Sequence, residues 1–144
     1  MTIRQIEWGS SDYGRALVLR NEILSAPLGS TVFKRDLRDE EAYLHYAAIA
    51  DDGEVVGTLM LRPESDEQVH MQQVATSEKV RGTGIGRELV AFAHEDARKR
   101  GYKRIELDSR EGAMRFYAHM GYKVCGETRW PRPDLPLTPM CLEL

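Results

Sequence analysis

The stretch KVRGTGIGREL (residues 79–89) sets glycines at 82, 84 and 86, just ahead of a pattern that reads as a helix. Alternating glycines cost backbone entropy on folding, so they point to a place where the main chain must approach something closely. A dinucleotide-binding turn needs G-x-G-x-x-G after the first strand of its fold. Counted from Gly82, Arg87 stands where the third glycine belongs; counted from Gly84, Leu89 does. Glu106 lies about 20 residues beyond Gly86, where a ribose-binding acid is expected, but that single agreement does not restore the missing glycine. A P-loop is excluded because no Gly-Lys-Ser/Thr follows. What survives is a loop whose amides face outward at the start of a helix. Free N–H groups and the helix dipole make this an anion site suited to a pyrophosphate, with Arg81 and Arg87 beside it. The alternative is a glycine-rich turn that holds no ligand.

Outward from the glycines, the helix runs over residues 84–100, with Ile85, Leu89, Phe92, Ala93 and Ala97 along one side, a basic last turn and Gly101 as its stop. Upstream, QVHMQQVAT (68–76) reads as a strand. LHYAAIA (44–50) and VVGTLMLRP (55–63) flank DDGE as a hairpin turning at Asp52-Gly53. TIRQIEW (2–8) is a short strand. The segment 10–25 is a helix capped by Ser10 or Ser11 and ended by Pro27 and Gly29, and 35–43 holds a second, shorter helix with acidic residues near its start. Downstream, 102–109 is a strand, 112–120 a helix stopped by Gly121, and 122–130 a strand. After the proline-rich 129–139, MCLEL (140–144) forms the last strand. This order predicts a single α/β domain over 1–144 with a mixed sheet.

The chain has 144 residues, 42% hydrophobic and 30% charged, enough for a real core without staples. A net charge of −3 argues against non-specific binding to nucleic acid or anionic membrane and is compatible with a cationic substrate. No apolar run approaches the ~20 residues that span a bilayer. The N-terminal MTIRQIEWGSSDYG lacks the pattern of a signal peptide, which points to the cytoplasm. Cys125 and Cys141 show no CxxC spacing and no histidine cluster, so free thiols are expected, the alternative being a disulfide between neighbouring C-terminal strands. His45, His94 and His119 fall in no metal-ligand pattern, and His94, among charged residues on its helix, is expected to be exposed. No metal is implied.

RGTGIG (81–86) matches the R/Q-x-x-G-x-G/A signature of the GNAT superfamily of N-acetyltransferases, with Arg81, Gly84 and Gly86 in the defining positions. REGAMRFYAHMGYK (110–123) is similar to the A-x-x-F-Y-x-x-x-G-F/Y segment of the same family through Ala113, Phe116, Tyr117, Gly121 and Tyr122. LRNEILSAPLGS (19–30) resembles the first helix and loop of bacterial members of unassigned substrate. The resemblance covers nearly the whole chain. It implies a sheet of about seven strands flanked by about four helices, with two parallel strands splayed around acetyl-CoA.

Carried onto this sequence, the family pattern puts the pantetheine arm against the backbone of Val74 and Thr76. The pyrophosphate meets the amides of residues 80–86, including Gly82, Thr83, Gly84, Ile85 and Gly86, with Arg81 and Arg87 alongside. Phe116 and Ser109 are further cofactor contacts, Ser109 having helix capping as its alternative. Tyr117 matches the general acid that reprotonates the leaving thiolate; its alternative is core packing with Phe116. The proton acceptor for the amine is open among His70, Glu22, Glu106 and water, His70 reading otherwise as a solvated strand-end residue. The acceptor side comes from residues 28–35 and 130–139, where Trp130 either lines the pocket or pins a loop. Many bacterial relatives carry an I-P-H segment near the last strand; here LPLTP has no histidine, so no role of that residue transfers.

These residues imply acetyl transfer to the primary amine of a small molecule or peptide by direct attack, since no cysteine lies in the motifs. The rival class is a non-catalytic coenzyme A-binding sensor or scaffold, and the intact Tyr117 argues against it. Another acyl donor, such as succinyl-CoA, fits the same motifs. A homodimer is consistent with the chain.

Overall fold

Along the chain the elements are β1 (Thr2–Ile6), α1 (Ser11–Arg20), β2 (Leu44–Ile49), β3 (Val55–Pro63), β4 (Gln68–Thr76), α2 (Ile85–Lys99), β5 (Arg104–Arg110), α3 (Met114–His119), β6 (Lys123–Val124), β7 (Arg129–Arg132) and β8 (Leu135–Glu143). They are seen in a computed structural model that describes residues 1–144. The strands form one mixed sheet of eight in the order β1-β2-β3-β4-β5-β8-β6, with β7 also on β8. Only β4 and β5 run parallel. This is the α/β architecture expected from the sequence, with eight strands for about seven and three α-helices for about four.

Ser10 caps α1, its hydroxyl accepting from the Tyr13 amide at 3.2 Å. The helix widens into a π-turn at Asn21–Ser25 before Pro27 ends it. The main core lies between α2, α3 and the sheet, where Leu89, Val90, Ala93 and Ala97 of α2 are fully buried against Tyr46, Leu59 and Ile105. Burying a side chain such as Leu89 contributes about 2 kcal/mol. A second cluster holds Tyr13, Ala16 and Leu19 of α1 over Ala47, Val55 and Ala75. No helix is long and apolar enough to cross a membrane.

Several local expectations need correction. The short helix expected over 35–43 is a 3-10 turn at Arg38–Ala42; its sequence RDEEA has no apolar face to bury, and only Glu40 turns inward. Phe92 is 39% exposed, and Val90 takes its place in the stripe. His94 is buried, its Nε2 lying 2.8 Å from the Tyr122 hydroxyl. Burial therefore pulls its pKa down to about 4. The strand expected over 122–130 is two short ones, broken at Gly126, where any Cβ would stand 2.7 Å from Pro139 Cγ. The last strand begins at Leu135 and takes in Pro136 and Pro139. A proline cannot donate in a ladder but still accepts, and the Cys125 amide donates to the Pro139 carbonyl at 2.9 Å.

The cysteines are not free thiols. Cys125 and Cys141 form a disulfide with a Cα–Cα separation of 6.0 Å. β6 pairs Lys123 with Cys141, so Cys125 lies just beyond that register on the neighbouring strand. The bridge is the alternative between C-terminal strands, which cysteine spacing does not reveal. Glu106 lies beside it.

Candidate active site

β4 and β5 pair only at Gln68 with Arg104, Val69 with Ile105 and His70 with Glu106. Beyond that register they part. β5 stays on β8 as far as Arg110 with Leu137, while β4 stays on β3 as far as Thr76 with Gly57. A cleft of about 540 Å³ opens between them, walled by Met71–Val74 on one side and Leu107–Arg110 on the other. At this wall β4 bulges. Gln72 pairs with Met60 and Ala75 with Thr58, so Gln73 and Val74 together oppose Leu59. Gln73 takes a φ of 54°, a left-handed value uncommon for a residue other than glycine.

Past the end of β4, Ser77 caps a 3-10 turn over Glu78–Val80, and the glycine loop leads into α2. Gly84 occupies the N-cap of α2 with φ 88°, and no side chain caps this end. The first bond into the helix runs from the Glu88 amide to the Gly84 carbonyl, at 3.0 Å. The amides of Ile85, Gly86 and Arg87 precede it and have no i−4 helical partner, as at any helix start. Gly82 and Gly84 are exposed, and a Cβ on either would meet no protein atom within 4 Å. Gly86 faces Thr76 and Phe116, at 3.5 and 4.0 Å from the place a Cβ would take. The loop thus presents main chain with the dipole of a long helix behind it. Arg81 lines the cleft from its edge.

Tyr117 lies in the cleft wall, 8% exposed, with its ring edge-on to Phe116 and Tyr122. Burial pushes its hydroxyl up to about 12, so it stays protonated at ordinary pH. Val74 and Ser109 share the same wall. Ser109 does not cap the next helical turn; its hydroxyl is buried and donates to the Arg110 carbonyl at 2.8 Å.

Of His70, Glu22 and Glu106, only His70 lines the cleft. It is not a solvated strand end: it is 8% exposed, with Nδ1 3.0 Å from Glu64 Oε1 and Nε2 3.5 Å from Asp108 Oδ2. Glu22 is exposed and outside the cleft, and Glu106, also outside, accepts from Gln68 Nε2 at 3.1 Å. The sequence signal for His70 was only its type and its place on β4. Its carboxylate partners come from the β3–β4 connection and from β5.

The other end of the cleft is built by Ile23, Leu24, Ser25, Leu28 and Arg35 together with Leu135 and Leu137. Trp130 takes no part; it is 62% exposed on β7. The segment after α1 is held by long-range bonds. Arg20 grips Glu40 through its two terminal guanidinium nitrogens at 2.7 and 2.9 Å, and the Tyr13 hydroxyl donates to Glu40 Oε1 at 2.7 Å. Burial works against ionising Glu40, but the bonds from Arg20 and Tyr13 prevail and hold its carboxyl below the usual range. Asn21 Oδ1 accepts from the Val32 amide at 3.0 Å.

Residues 7–122 match the model of the acetyltransferase (GNAT) family. The chain belongs to that family. It is 34% identical over 88 residues to the aminoalkylphosphonate N-acetyltransferase of Salmonella typhimurium, a match covering 56% of this chain and 57% of that protein. The chain spans about half the length of the curated relatives it matches. Among solved structures, an N-acetyltransferase so described from Lactobacillus plantarum superposes over 100% of this chain and 99% of its own, with TM-score 0.85 and 25% identity. An aminoglycoside 6'-N-acetyltransferase complexed with coenzyme A superposes over 99% and 97%, with TM-score 0.82 and 18% identity, a likeness of fold.

Proposed function

We propose that residues 1–144 act as one catalytic domain that moves an acetyl group from acetyl-CoA to a primary amine by direct attack in a ternary complex. The observation that carries this is the parting of β4 from β5 beside an uncapped, glycine-lined helix start, with Tyr117 in the same cleft. The pantetheine arm runs between the parted strands along Val74 and Thr76. The pyrophosphate takes the amides from Gly82 to Arg87, with Arg81 and Arg87 adding charge. Phe116 and Ser109 bound the arm. The named activity of the Salmonella relative is acetylation of a small amine, which supports a small acceptor over a protein one.

The amine nitrogen attacks the thioester carbonyl carbon, and the C–S bond breaks as the tetrahedral intermediate collapses. Tyr117 donates its O–H to the sulfur as negative charge develops there. A phenol at about 12 gives its proton to a thiolate of about 8.5 only uphill, so the hydrogen bond stabilises the departing sulfur and exchange with solvent completes its protonation. His70 takes the proton that the amine must lose, its ring held between Glu64 and Asp108. No cysteine lines the cleft, in keeping with attack without an acetyl-enzyme. We place the enzyme in the cytoplasm, where acetyl-CoA is available.

Tyr117→Phe tests this reading. Release of free thiol from acetyl-CoA in the presence of amines is expected to fall about 100-fold in kcat, with KM for acetyl-CoA little changed. Full activity in the variant removes the acid role.

A further inference from the structure

The chain as a whole is acidic, with 23 carboxylate residues against 20 lysines and arginines, yet the cleft is not. Three arginines, Arg35, Arg81 and Arg110, line it against one carboxylate, Asp108. Asp108 is already engaged by Arg129 at 2.7 Å and by His70. Arg81 flanks the glycine loop and lies 3.8 Å from Glu78. Arg35 and Arg110 make no ion pair, and the side-chain bonds of Arg35 are all to hydroxyls. A modest acidic excess hinted at a cationic substrate, and the cleft reverses that hint.

Arg35 is also held in place. Its Nη2 lies 3.2 Å from Ser30 Oγ and 3.5 Å from the buried Ser25 Oγ. The same loop is closed by the Ser30 amide on the Ser25 carbonyl, at 3.0 Å. Hydroxyl partners leave the guanidinium its full charge and leave it donors to spare. Beside it, Ile23, Leu24 and Leu28 offer an aliphatic wall.

We propose that the acceptor is a short primary amine bearing an anionic group, phosphonate, phosphate or carboxylate, which Arg35 grips and Arg110 supports. This rests on the acetyl-transfer reading above. The anion and the aliphatic stem fix one end of the molecule, and the amine is directed to the parting of β4 and β5. Arginine suits this task because its planar fork meets two oxygens of an oxyanion at once.

The test compares 2-aminoethylphosphonate, β-alanine, propylamine and 1,3-diaminopropane as acceptors at saturating acetyl-CoA, reading free thiol. The acidic amines are expected to exceed the neutral and dicationic ones by at least ~10-fold in kcat/KM, and their ranking identifies the anion. Arg35→Ala is expected to remove about 10- to 100-fold of that preference through the acceptor KM, the size of a charge-assisted hydrogen bond, and Arg35→Lys part of it. Equal or faster acetylation of propylamine or the diamine overturns the proposal and leaves acetyl transfer standing. So does an Arg35→Ala variant whose defect lies in affinity for acetyl-CoA. Should no amine be acetylated, calorimetry of 2-aminoethylphosphonate and β-alanine into the coenzyme A-loaded protein decides. Saturable binding lost in Arg35→Ala upholds the anionic subsite while the transfer reading fails, and absence of binding overturns the subsite too.

Discussion

The two halves of the cleft are made from different materials. On one side, the glycine loop before α2 offers main-chain amides with no capping side chain and almost no packing of its own. On the other, the segment after α1 is fixed by side-chain bonds: Arg20 and Tyr13 reach Glu40 from 20 and 27 residues away, Asn21 takes the Val32 amide, and Arg35 reaches Ser25 and Ser30. A site made of backbone restricts which residues its own stretch can carry, because only glycine takes φ near 88° without strain and lets a ligand come close. A site made of tertiary contacts leaves no such trace. One fold can therefore hold the donor constant while the acceptor changes.

The largest expected effect comes from filling the backbone half. Gly84→Glu places a side chain and a negative charge at a left-handed N-cap and is expected to lower activity more than 100-fold, with the circular dichroism of the folded chain retained. Comparable loss of secondary structure would mean that the glycine serves the fold alone. Loosening the side-chain half comes next. Glu40→Gln leaves Arg20 buried without its charge partner and is expected to cost about 3 kcal/mol, near 10 °C in thermal midpoint. It is expected to raise the acceptor KM as well. A midpoint within about 2 °C of wild type would show that this pair does not hold the segment.

The smallest effect concerns α2, which carries the donor half. His94 is buried in its neutral form with a pKa near 4, whereas it would titrate near 6.5 in the unfolded chain. The unfolded state therefore binds the extra proton between those values, and stability falls as pH drops through that window. At pH 5.5 the loss from this residue is about 1 kcal/mol. Denaturant midpoints of wild type and His94→Gln, each compared between pH 7 and pH 5.5, measure it. An identical decline in both would remove His94 as the cause.

What the sequence revealed follows the same division. The strand at 68–76, the long helix after the glycines and the hairpin at Asp52-Gly53 were legible, because periodicity and turn chemistry are local. The bulge at Gln73 was not, since no glycine marks its left-handed residue. Nor was the setting of His70, which depends on Glu64 and Asp108 from other segments. His94 reads as exposed among charged neighbours because its partner, Tyr122, is on another element. Trp130 drew attention by its type, while the less conspicuous Leu135 and Leu137 line the cleft. Arg35 stood at the edge of the acceptor stretch without distinction, and its place in the cleft, held by the hydroxyls of Ser25 and Ser30, shows only in the structure.

Calorimetric titration of acetyl-CoA into the wild type, Gly84→Glu and Arg35→Ala tests the division itself. The account predicts saturable binding to the wild type, none to Gly84→Glu, and wild-type affinity for Arg35→Ala. Retained affinity in Gly84→Glu, or its loss in Arg35→Ala, would contradict it.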